Sequence, residues 1–273
     1  MSDSNTYQAV RIGDIADWRL IATLSRDGMT AYLKNTENPT EGVVTLFSEK
    51  WDAEGADLLH KIESAVYDHP QILDDFTADI AVVAPKSMWI PTHILDEDEE
   101  DVVAGSDMFR AVYPVEEEDV MTDELGDMSC LYTLAPGLPA FIQRTFAGAR
   151  VRCHFSVLAE RFRERGADIP RVYCDIREGE ADFLAFDGRK MLMAATHRWT
   201  APADIKYHVF NILAVYGLDP ASVQVSLSGL KEVKTDLMKD LRKDVAFVML
   251  TMLPSLAGKK TDMPTVASLL MRG

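Results

Sequence analysis

The sequence has little positive charge and no long hydrophobic run. Its 273 residues carry 28 Lys and Arg against 44 Asp and Glu, which gives a net charge of −16. Because proteins bind nucleic acid mainly through Lys and Arg that displace counterions, this balance argues against a nucleic-acid partner. The longest apolar stretches, such as residues 245–250, are much shorter than a membrane-spanning helix, so we do not expect an integral membrane protein.

Cysteines are few, and the N-terminal residues do not resemble a secretion signal. The three cysteines, Cys130, Cys153 and Cys174, are odd in number and lack the spacing of metal ligands. Each stands in an apolar or strand-like stretch, which predicts buried free thiols and no metal site. The first residues are polar and acidic, without the basic and apolar segments of a secretion signal. Together these features predict a cytoplasmic protein in a reducing compartment.

Common catalytic signatures are missing as well. The sequence contains no G-x-S-x-G elbow, no Walker-type phosphate loop with its lysine and no G-x-G-x-x-G dinucleotide motif. Two acidic runs, at residues 96–101 and 116–119, lack the spacing of a calcium loop. They are typical of solvated loops, although a basic partner or cations are an alternative. No catalytic residue can be named from a motif.

The sequence does contain the same order of secondary-structure elements twice. In the second half, residues 171–177, 181–186 and 189–197 alternate like three strands joined by tight turns. A helix beginning at Pro202 follows, and then a strand over residues 223–227. This order is three strands, one helix and a fourth strand.

A weaker copy of the same order lies near the N-terminus. Residues 19–25, 29–34 and 43–47 predict three strands, the first two joined by a hairpin turn. A helix capped by Asp52 follows, and the apolar run at residues 80–84 predicts a buried strand.

Single residues also correspond between the copies. Trp51 precedes the first helix and Trp199 the second, and His60 and His208 each follow their tryptophan by nine positions. A chance match stays open because one sequence gives no statistics on so few positions. We favour an internal duplication.

The remaining sequence adds further elements and sets the predicted domain limits. The last dozen residues are compatible with a small mobile helix. Strands alternating with helices predict an α/β fold in which mixed sheets are covered by helices, as two lobes with a cleft between them. The first lobe is predicted at residues 1–166, with inserted helices, the second at 167–256, and a C-terminal tail at 257–273. The other predicted elements are helices at 102–111, 138–146, 157–165 and 231–241, strands at 128–134 and 151–154, and a strand or buried helix at 245–250.

Residues 175–182, which read Asp-Ile-Arg-Glu-Gly-Glu-Ala-Asp, resemble a phosphate loop. They are similar to a worn form of the second phosphate loop of the actin-like ATPases, which usually reads Asp-Ile-Gly-Gly-Gly-Thr-Thr-Asp. The repeated order of three strands, a helix and a strand also resembles the ribonuclease-H-like unit of that family. Over residues 15–256 the chain resembles a bacterial family with an attributed actin-like fold and no assigned activity.

The resemblance implies an actin-like ATPase fold and candidate nucleotide contacts. Asp175 and Asp182 could bridge a metal ion, but solvent-facing strand residues are the simpler interpretation. Asp27 would hold Mg²⁺ through water, although an ordinary hairpin turn places an Asp there too. The candidate cofactor-binding residues are Asp27 and Gly28 in the first loop, Asp175, Gly179 and Asp182 in the second, and Gly229 in the adenosine-side loop.

The departures from the family pattern favour a protein without catalysis. A phosphate loop needs glycines so that backbone N–H groups can surround phosphate oxygens, and Arg177 and Glu178 replace two of them. Glu178 and Glu180 would set negative charge beside a triphosphate, although Arg177 could offset part of it if it turned inward. We therefore expect a pseudo-ATPase scaffold that binds a protein partner or itself and needs no cofactor. The alternative is a divergent ATPase or phosphotransferase that binds Mg-ATP in the cleft.

Overall fold

The structure, a computed structural model, describes residues 14–37, 43–95, 105–115, 119–163, 168–251 and 263–271. Its chain forms two compact units. Among the described residues, the first unit contains 14–80 and 135–151, and the second contains 81–134, 152–251 and 263–271. The domain boundaries predicted at 166/167 and 256/257 lie outside the described residues.

The first sheet is built from the N-terminal copy of the repeat. Its five strands have the order β3-β2-β1-β4-β8. Strands β1 and β2 are antiparallel, and Ser25 pairs with Gly28, so that only two residues form the turn between them. The elements are β1 (Trp18–Ser25), β2 (Gly28–Asn35), β3 (Val43–Lys50), α1 (Gly55–Asp68), β4 (Thr77–Val82), α3 (Leu138–Thr145) and β8 (Arg150–Cys153).

The second sheet repeats this topology. Its order is β11-β10-β9-β12-β13, with β12 parallel to both β9 and β13. The apolar core of this unit lies between the sheet and the helices α5 and α6, and includes Val172, Val209, Val225 and Leu241. The elements are β9 (Arg171–Ile176), β10 (Glu180–Asp187), β11 (Lys190–Arg198), α5 (Pro202–Tyr216), β12 (Gln224–Gly229), α6 (Lys231–Leu241) and β13 (Phe247–Leu250).

The predicted duplication is confirmed at the level of topology. In each sheet the first three strands form a meander, and the fourth strand, which follows a helix, lies beside the first. The two tryptophans also correspond, since Trp51 N–H donates to the turn carbonyl of Asp27 at 3.0 Å and Trp199 N–H to that of Gly179 at 2.9 Å. The two halves of the chain are therefore versions of one module.

The histidine correspondence is wrong by one position. The buried residues Ile62 and Val66 of α1 match Val209 and Leu213 of α5 in spacing and burial. In this alignment His60 is equivalent to Tyr207 rather than to His208, because α5 begins one residue closer to its tryptophan than α1 does. Packing, rather than distance from the tryptophan, sets which residues face the sheet.

Several elements differ from the sequence prediction. Helix α1 begins at Gly55, and Glu54 precedes it without a side-chain cap bond, so the predicted Asp52 cap is wrong. Residues 245–250 contain the strand β13 rather than a helix. The acidic run at 96–101 lies outside the described residues, whereas Asp119 begins a strand. The sequence prediction missed β5 (Ser87–Pro91) and β6 (Asp119–Leu125), which form a three-stranded sheet with β7 (Met128–Leu134) in the order β5-β7-β6.

The remaining helices complete the second unit. Helices α2 (Gly105–Val112) and α4 (His154–Arg163) lie near their predicted positions. The small C-terminal helix is present as α7 (Thr265–Leu270), and all six of its residues are buried, so the expectation of a mobile helix is wrong. Cys130, Cys153 and Cys174 are buried free thiols, as predicted. None of the described helices is both long and apolar enough to cross a membrane.

Candidate functional site

The predicted second phosphate loop is a tight hairpin turn between β9 and β10. Arg177 N–H donates to the carbonyl of Glu180 at 2.8 Å, so that only Glu178 and Gly179 form the tip. Gly179 has a φ of 70°, in the left-handed region. The indole N–H of Trp199 donates to the carbonyl of Arg177 at 3.0 Å. The turn is therefore fixed by backbone pairing and by the tryptophan that starts the next segment.

Asp175 and Asp182 lie directly opposite each other on β9 and β10. Their exposed fractions are 2% and 0%, so the interpretation as solvent-facing residues is wrong. Helices α4 and α7 contribute His154 and Thr265 to these two carboxylates, and they cover this face of the sheet. The pair therefore has a buried environment, where unpaired charge is costly.

Arg177 provides most of the compensation for Asp182. Its Nε donates to Oδ2 of Asp182 and its Nη2 to Oδ1, both at 2.8 Å, and its Nη1 donates to Glu180 at 3.2 Å. Thr196 Oγ1 also donates to Oδ1 of Asp182, at 2.7 Å. Burial alone would raise the pKa of Asp182, but the charge and hydrogen bonds of Arg177 and His154 outweigh it and lower that pKa. Asp182 is therefore an ionised carboxylate whose two oxygens are both engaged.

His154 is a second buried group beside Asp182. It begins α4, is fully buried, and its Nε2 faces Oδ1 of Asp182 at 3.5 Å. Burial alone would lower the pKa of His154, but the facing carboxylate outweighs it and raises that pKa. Burial also raises the pKa of the adjacent Cys153 thiol, which argues against a reactive thiolate there.

Asp175 accepts hydrogen bonds from hydroxyl groups of two other elements. Its Oδ1 accepts hydrogen bonds from Ser228 Oγ and, at 2.6 Å, from Thr265 Oγ1. The Ser228 hydroxyl also contacts the phenol of Tyr173. Burial raises the pKa of Asp175, and the two hydroxyl donors offset part of that rise. The C-terminal helix α7 thus takes part in this cluster through Thr265.

Gly229, the adenosine-side candidate, has a packing role. It ends β12 and pairs with Ile176 of β9. Its φ is 85°, and a Cβ built there would lie 2.0 Å from the carbonyl oxygen of Ile176. The next residue, Leu230, donates its N–H to that same oxygen at 2.9 Å. Only glycine fits this contact between neighbouring strands.

The first predicted phosphate loop is also an ordinary two-residue turn. Ser25 Oγ donates to the carbonyl of Gly28 at 3.1 Å and accepts from the N–H of Asp27 at 3.2 Å. The Asp27 carboxylate accepts from Nε of Arg26 at 3.3 Å, and Nη1 of the same arginine donates to Glu54 at 3.2 Å. Asp27 therefore has the local contacts of a hairpin-turn residue, and Gly28 is a strand residue.

The duplication identifies the first-copy counterparts of the two aspartates. Ser25 and Gly28 close the first turn, as Arg177 and Glu180 close the second. Two residues further from the turn stand Thr23 and Thr30, which face each other as Asp175 and Asp182 do. The two threonine hydroxyl oxygens are 2.5 Å apart. At the position of Asp175 the first copy therefore has a threonine and no carboxylate.

The structure brings Asp175, Asp182 and the Gly179 turn together and adds partners that sequence reasoning did not identify. No sequence pattern predicted three of these partners, because each lies on a different element from the carboxylates. They are Thr196, His154 and Thr265. Ser228 stands beside the glycine of the adenosine-side candidate, which was the only available hint. Within the described part of the chain, no group of three or more His, Cys, Asp or Glu residues could hold a metal ion.

Comparison with known families assigns the sequence to one of them. Residues 8–245 match the family described as "Protein of unknown function (DUF3822)". The chain belongs to this family. Comparison with curated proteins gave no match.

Solved structures show the fold of this DUF3822 protein. A Bacteroides thetaiotaomicron protein with an actin-like ATPase fold and unknown function is similar with a TM-score of 0.76 and 19% identity, over 94% of this chain and 96% of that one. The PilM–PilN type IV pilus biogenesis complex gives 0.56 and 11%, over 93% and 96%. The ethanolamine utilization protein EutJ from Carboxydothermus hydrogenoformans gives 0.50 and 10%, over 92% and 89%. The chain has an actin-like ATPase fold, as the resemblance implied.

Proposed function

We propose that this protein is a non-catalytic scaffold with an actin-like ATPase fold, which acts through contacts with protein partners. The observation that carries the proposal is the ion pair between Arg177 and the buried Asp182. The arginine stands where the family resemblance places a phosphate-binding glycine. Its guanidinium already binds Asp182 and Glu180, so it does not present these donors to a phosphate.

The charges at the turn also argue against a bound triphosphate. Glu178 and Glu180 are acidic residues at a turn where phosphate oxygens would need N–H donors or cations. Two like unit charges about 4 Å apart repel by ~4 kcal/mol at an effective dielectric constant of ~20. Repulsion of this size would cancel several hydrogen bonds from backbone N–H groups.

The first copy supports the same conclusion. An actin-like ATPase needs a carboxylate there to position Mg²⁺, and Thr23 takes the place that Asp175 has in the second copy. A threonine hydroxyl carries no charge to attract a hydrated Mg²⁺ ion. Each copy therefore lacks a group that nucleotide binding chemistry requires.

A protein-binding role is supported by a distant neighbour of the same fold. PilM, 11% identical to this chain, is described in a complex with PilN. Proteins of this fold can thus take part in assemblies with other proteins. We extend that role, and not the identity of the partner, to the present protein.

Isothermal titration calorimetry with Mg-ATP tests the absence of nucleotide binding. We expect the heat of each Mg-ATP injection to equal the heat of dilution. Inorganic phosphate and Mg²⁺ alone serve as controls for weak ion binding. Micromolar affinity for Mg-ATP would overturn the proposal.

A divergent ATPase or phosphotransferase is the second candidate, and the retained pair Asp175 and Asp182 favours it. This candidate predicts measurable phosphate release that Asp175→Asn abolishes without unfolding the protein. The exposed strand-end residue Asp187 offers a matched control as Asp187→Asn. Wild-type turnover no greater than that of buffer would rule the candidate out.

A further inference from the structure

Two of the three cysteines lie on either side of one carboxylate. Cys130 on β7 and Cys153 at the end of β8 both belong to the second unit, and both are fully buried. Asp123 of β6 stands directly opposite Cys130, and its Oδ2 accepts the N–H of Cys153 at 2.7 Å. Directly opposite residues of an antiparallel pair share a face, so the side chains of Cys130 and Asp123 are neighbours. The Cys130 and Cys153 thiols also form a hydrogen bond with each other.

His154 distinguishes the two thiols. Its Nδ1 lies 3.6 Å from Sγ of Cys153, while its Nε2 faces Asp182 at 3.5 Å. Burial raises the pKa of Cys153, so that this thiol is protonated in the resting protein, whereas the charge and hydrogen bond of His154 act in the opposite direction. Any loss of burial therefore favours the thiolate at Cys153, because the imidazole is next to it.

Cys174 provides a contrast within the same chain. It is equally buried, but it lies in the apolar core between the second sheet and the helices α5 and α6. Its strand partners are Phe183 on β10 and Leu227 on β12, so it has no thiol neighbour across the described strands. Burial alone does not bring the cysteines of this protein together, and the pairing of Cys130 with Cys153 is specific.

We propose that Cys130 and Cys153 are a redox-modification site, which forms a disulfide with a small hydroperoxide and returns to two thiols on reduction. The two thiols already contact each other, so the sulfur atoms have only a short distance to move. The bond joins β7 to the residue that precedes α4, the helix whose His154 faces Asp182. Oxidation of the pair therefore acts on the buried cluster around Asp182. The inference does not depend on the proposed function, because neither cysteine belongs to a candidate nucleotide loop.

The reaction is a two-electron oxidation of sulfur. The Cys153 thiolate attacks the terminal oxygen of the hydroperoxide, and the O–O bond breaks. A sulfenic acid forms at Cys153, and the other oxygen leaves as an alkoxide that takes up the proton released by the thiol. The Cys130 sulfur then attacks the sulfenic sulfur, which forms the S–S bond and releases water. In sum, two thiols and one hydroperoxide give one disulfide, one water and one alcohol, which is a second water in the case of hydrogen peroxide.

The strand β6 gives an oxidant its route to these buried thiols. The sheet order places β6 at an edge, where it pairs with β7 alone. Asp119, Thr122 and Glu124 are exposed on this strand, and Asp123 is partly exposed. Segments with few buried contacts and solvent-exposed backbone open locally at a lower cost in free energy than the core does. Local opening of β6 withdraws Asp123 from both cysteines and admits a small molecule, while the rest of the second unit stays folded.

Thiol counting and non-reducing peptide mass mapping of the native protein after peroxide treatment test the proposal. Hydrogen peroxide should lower the number of free thiols in the wild type from three to one and link Cys130 to Cys153. Dithiothreitol should restore all three thiols. The matched control Cys174→Ser should form the same disulfide in equal yield, whereas Cys130→Ser should form none. Circular dichroism before and after oxidation checks that each protein is folded.

A probe for sulfenic acid tests the order of attack. Dimedone, which reacts with sulfenic acids, should label Cys153 in the Cys130→Ser variant roughly tenfold more than Cys130 in Cys153→Ser, because only Cys153 lies beside His154. A folded wild type that keeps three thiols or a disulfide that includes Cys174 would overturn the proposal. A bond that dithiothreitol does not break, or equal labelling of the two variants, would overturn it as well.

Discussion

At the scale of single residues, Arg177 forms an internal ion pair with Asp182 at the turn that the sequence predicted as the second phosphate loop. Its guanidinium takes a bidentate position on Asp182 and reaches Glu180 as well. This geometry suits arginine, because its fork of N–H donors matches the two oxygens of a carboxylate. The positive charge that lies beside Asp182 therefore comes from Arg177, a residue of the chain itself.

Replacing Arg177 should be strongly destabilising. Arg177→Met leaves Asp182 buried without its main counter-charge, and we expect a loss of about 3–5 kcal/mol in the free energy of unfolding. Arg177→Lys keeps the charge but not the bidentate geometry, so its loss should be smaller. Urea denaturation measures both. Equal stability of Arg177→Met and the wild type would show that the ion pair does not hold the turn.

The chemistry of these residues was partly predictable from the sequence, but their burial was not. The replacement of glycines by Arg177 and Glu178 is visible in the sequence, whereas the ion pair between Arg177 and Asp182 is seen only in the structure. Alternation along β9 and β10 identifies which residues share a face but not whether that face is covered. The covering residue Thr265 lies 90 positions from Asp175, beyond the reach of any local pattern.

At the scale of elements, two glycines at opposite sides of the site have different reasons for being glycine. Gly229 sits where β12 approaches the backbone of β9, and a Cβ would collide with Ile176. Gly179 has a similar positive φ of 70°, but a Cβ built there meets nothing within 4 Å. The same substitution, glycine to alanine, can therefore distinguish the close strand contact at Gly229 from the unobstructed turn at Gly179.

Alanine at these two positions should have unequal effects. Gly179→Ala should cost only the left-handed backbone conformation, about 1–2 kcal/mol. Gly229→Ala should cost about 3 kcal/mol or more, because the same backbone penalty is joined by overpacking against Ile176. Thermal and urea denaturation compare the two variants. A Gly179→Ala variant as unstable as Gly229→Ala would contradict the separate roles.

Element prediction succeeded where the local signals were strong and failed where packing decided. Helix α6 has the predicted bounds, and Gly217 caps α5 in the left-handed conformation, as the sequence predicted for the end of that helix. Strand β6 was missed because acidic residues interrupt its alternation, and β5 because it is short and ends in proline. These two strands are stabilised by pairing with β7, which no local pattern reveals.

At the scale of the whole molecule, the duplication explains why the fold could be predicted and the activity could not. The same order of elements occurs in both copies, so each copy supports the prediction made for the other. The actin-like fold follows from this repeated order. The site residues diverge between the copies, as Thr23 and Asp175 show. The fold constrains topology, whereas function depends on side chains that differ at equivalent positions.

The stability of the molecule should depend on pH through His197. This side chain stacks on His208, with ring centroids 4.1 Å apart, and joins β11 to α5. Burial and the neighbouring His208 both lower the pKa of His197. Because its folded pKa lies below the unfolded value of about 6.5, its contribution is present above that pH and is lost as pH falls.

The measurement compares thermal unfolding of the wild type and His208→Gln between pH 8 and pH 5. His208→Gln removes the second imidazole, so the pKa of His197 should rise towards its ordinary value. We expect the variant to lose less stability than the wild type as pH falls through about 6.5. Asp204, the nearest acidic group of α5 to His208, is present in both proteins. Identical pH profiles would show that His208 does not contribute to the lowered pKa of His197.

The hydrogen bond between Thr265 and Asp175 has a consequence for biosynthesis. Ribosomes add about 5–20 residues per second, so Thr265 leaves the ribosome roughly 5–20 s after Asp175, from which it is separated by 90 positions. During that interval the emerging chain has β9 but not the helix that closes over its carboxylate. The second unit should therefore mature late, and the nascent protein should be most vulnerable to proteases and most attractive to chaperones just before α7 docks.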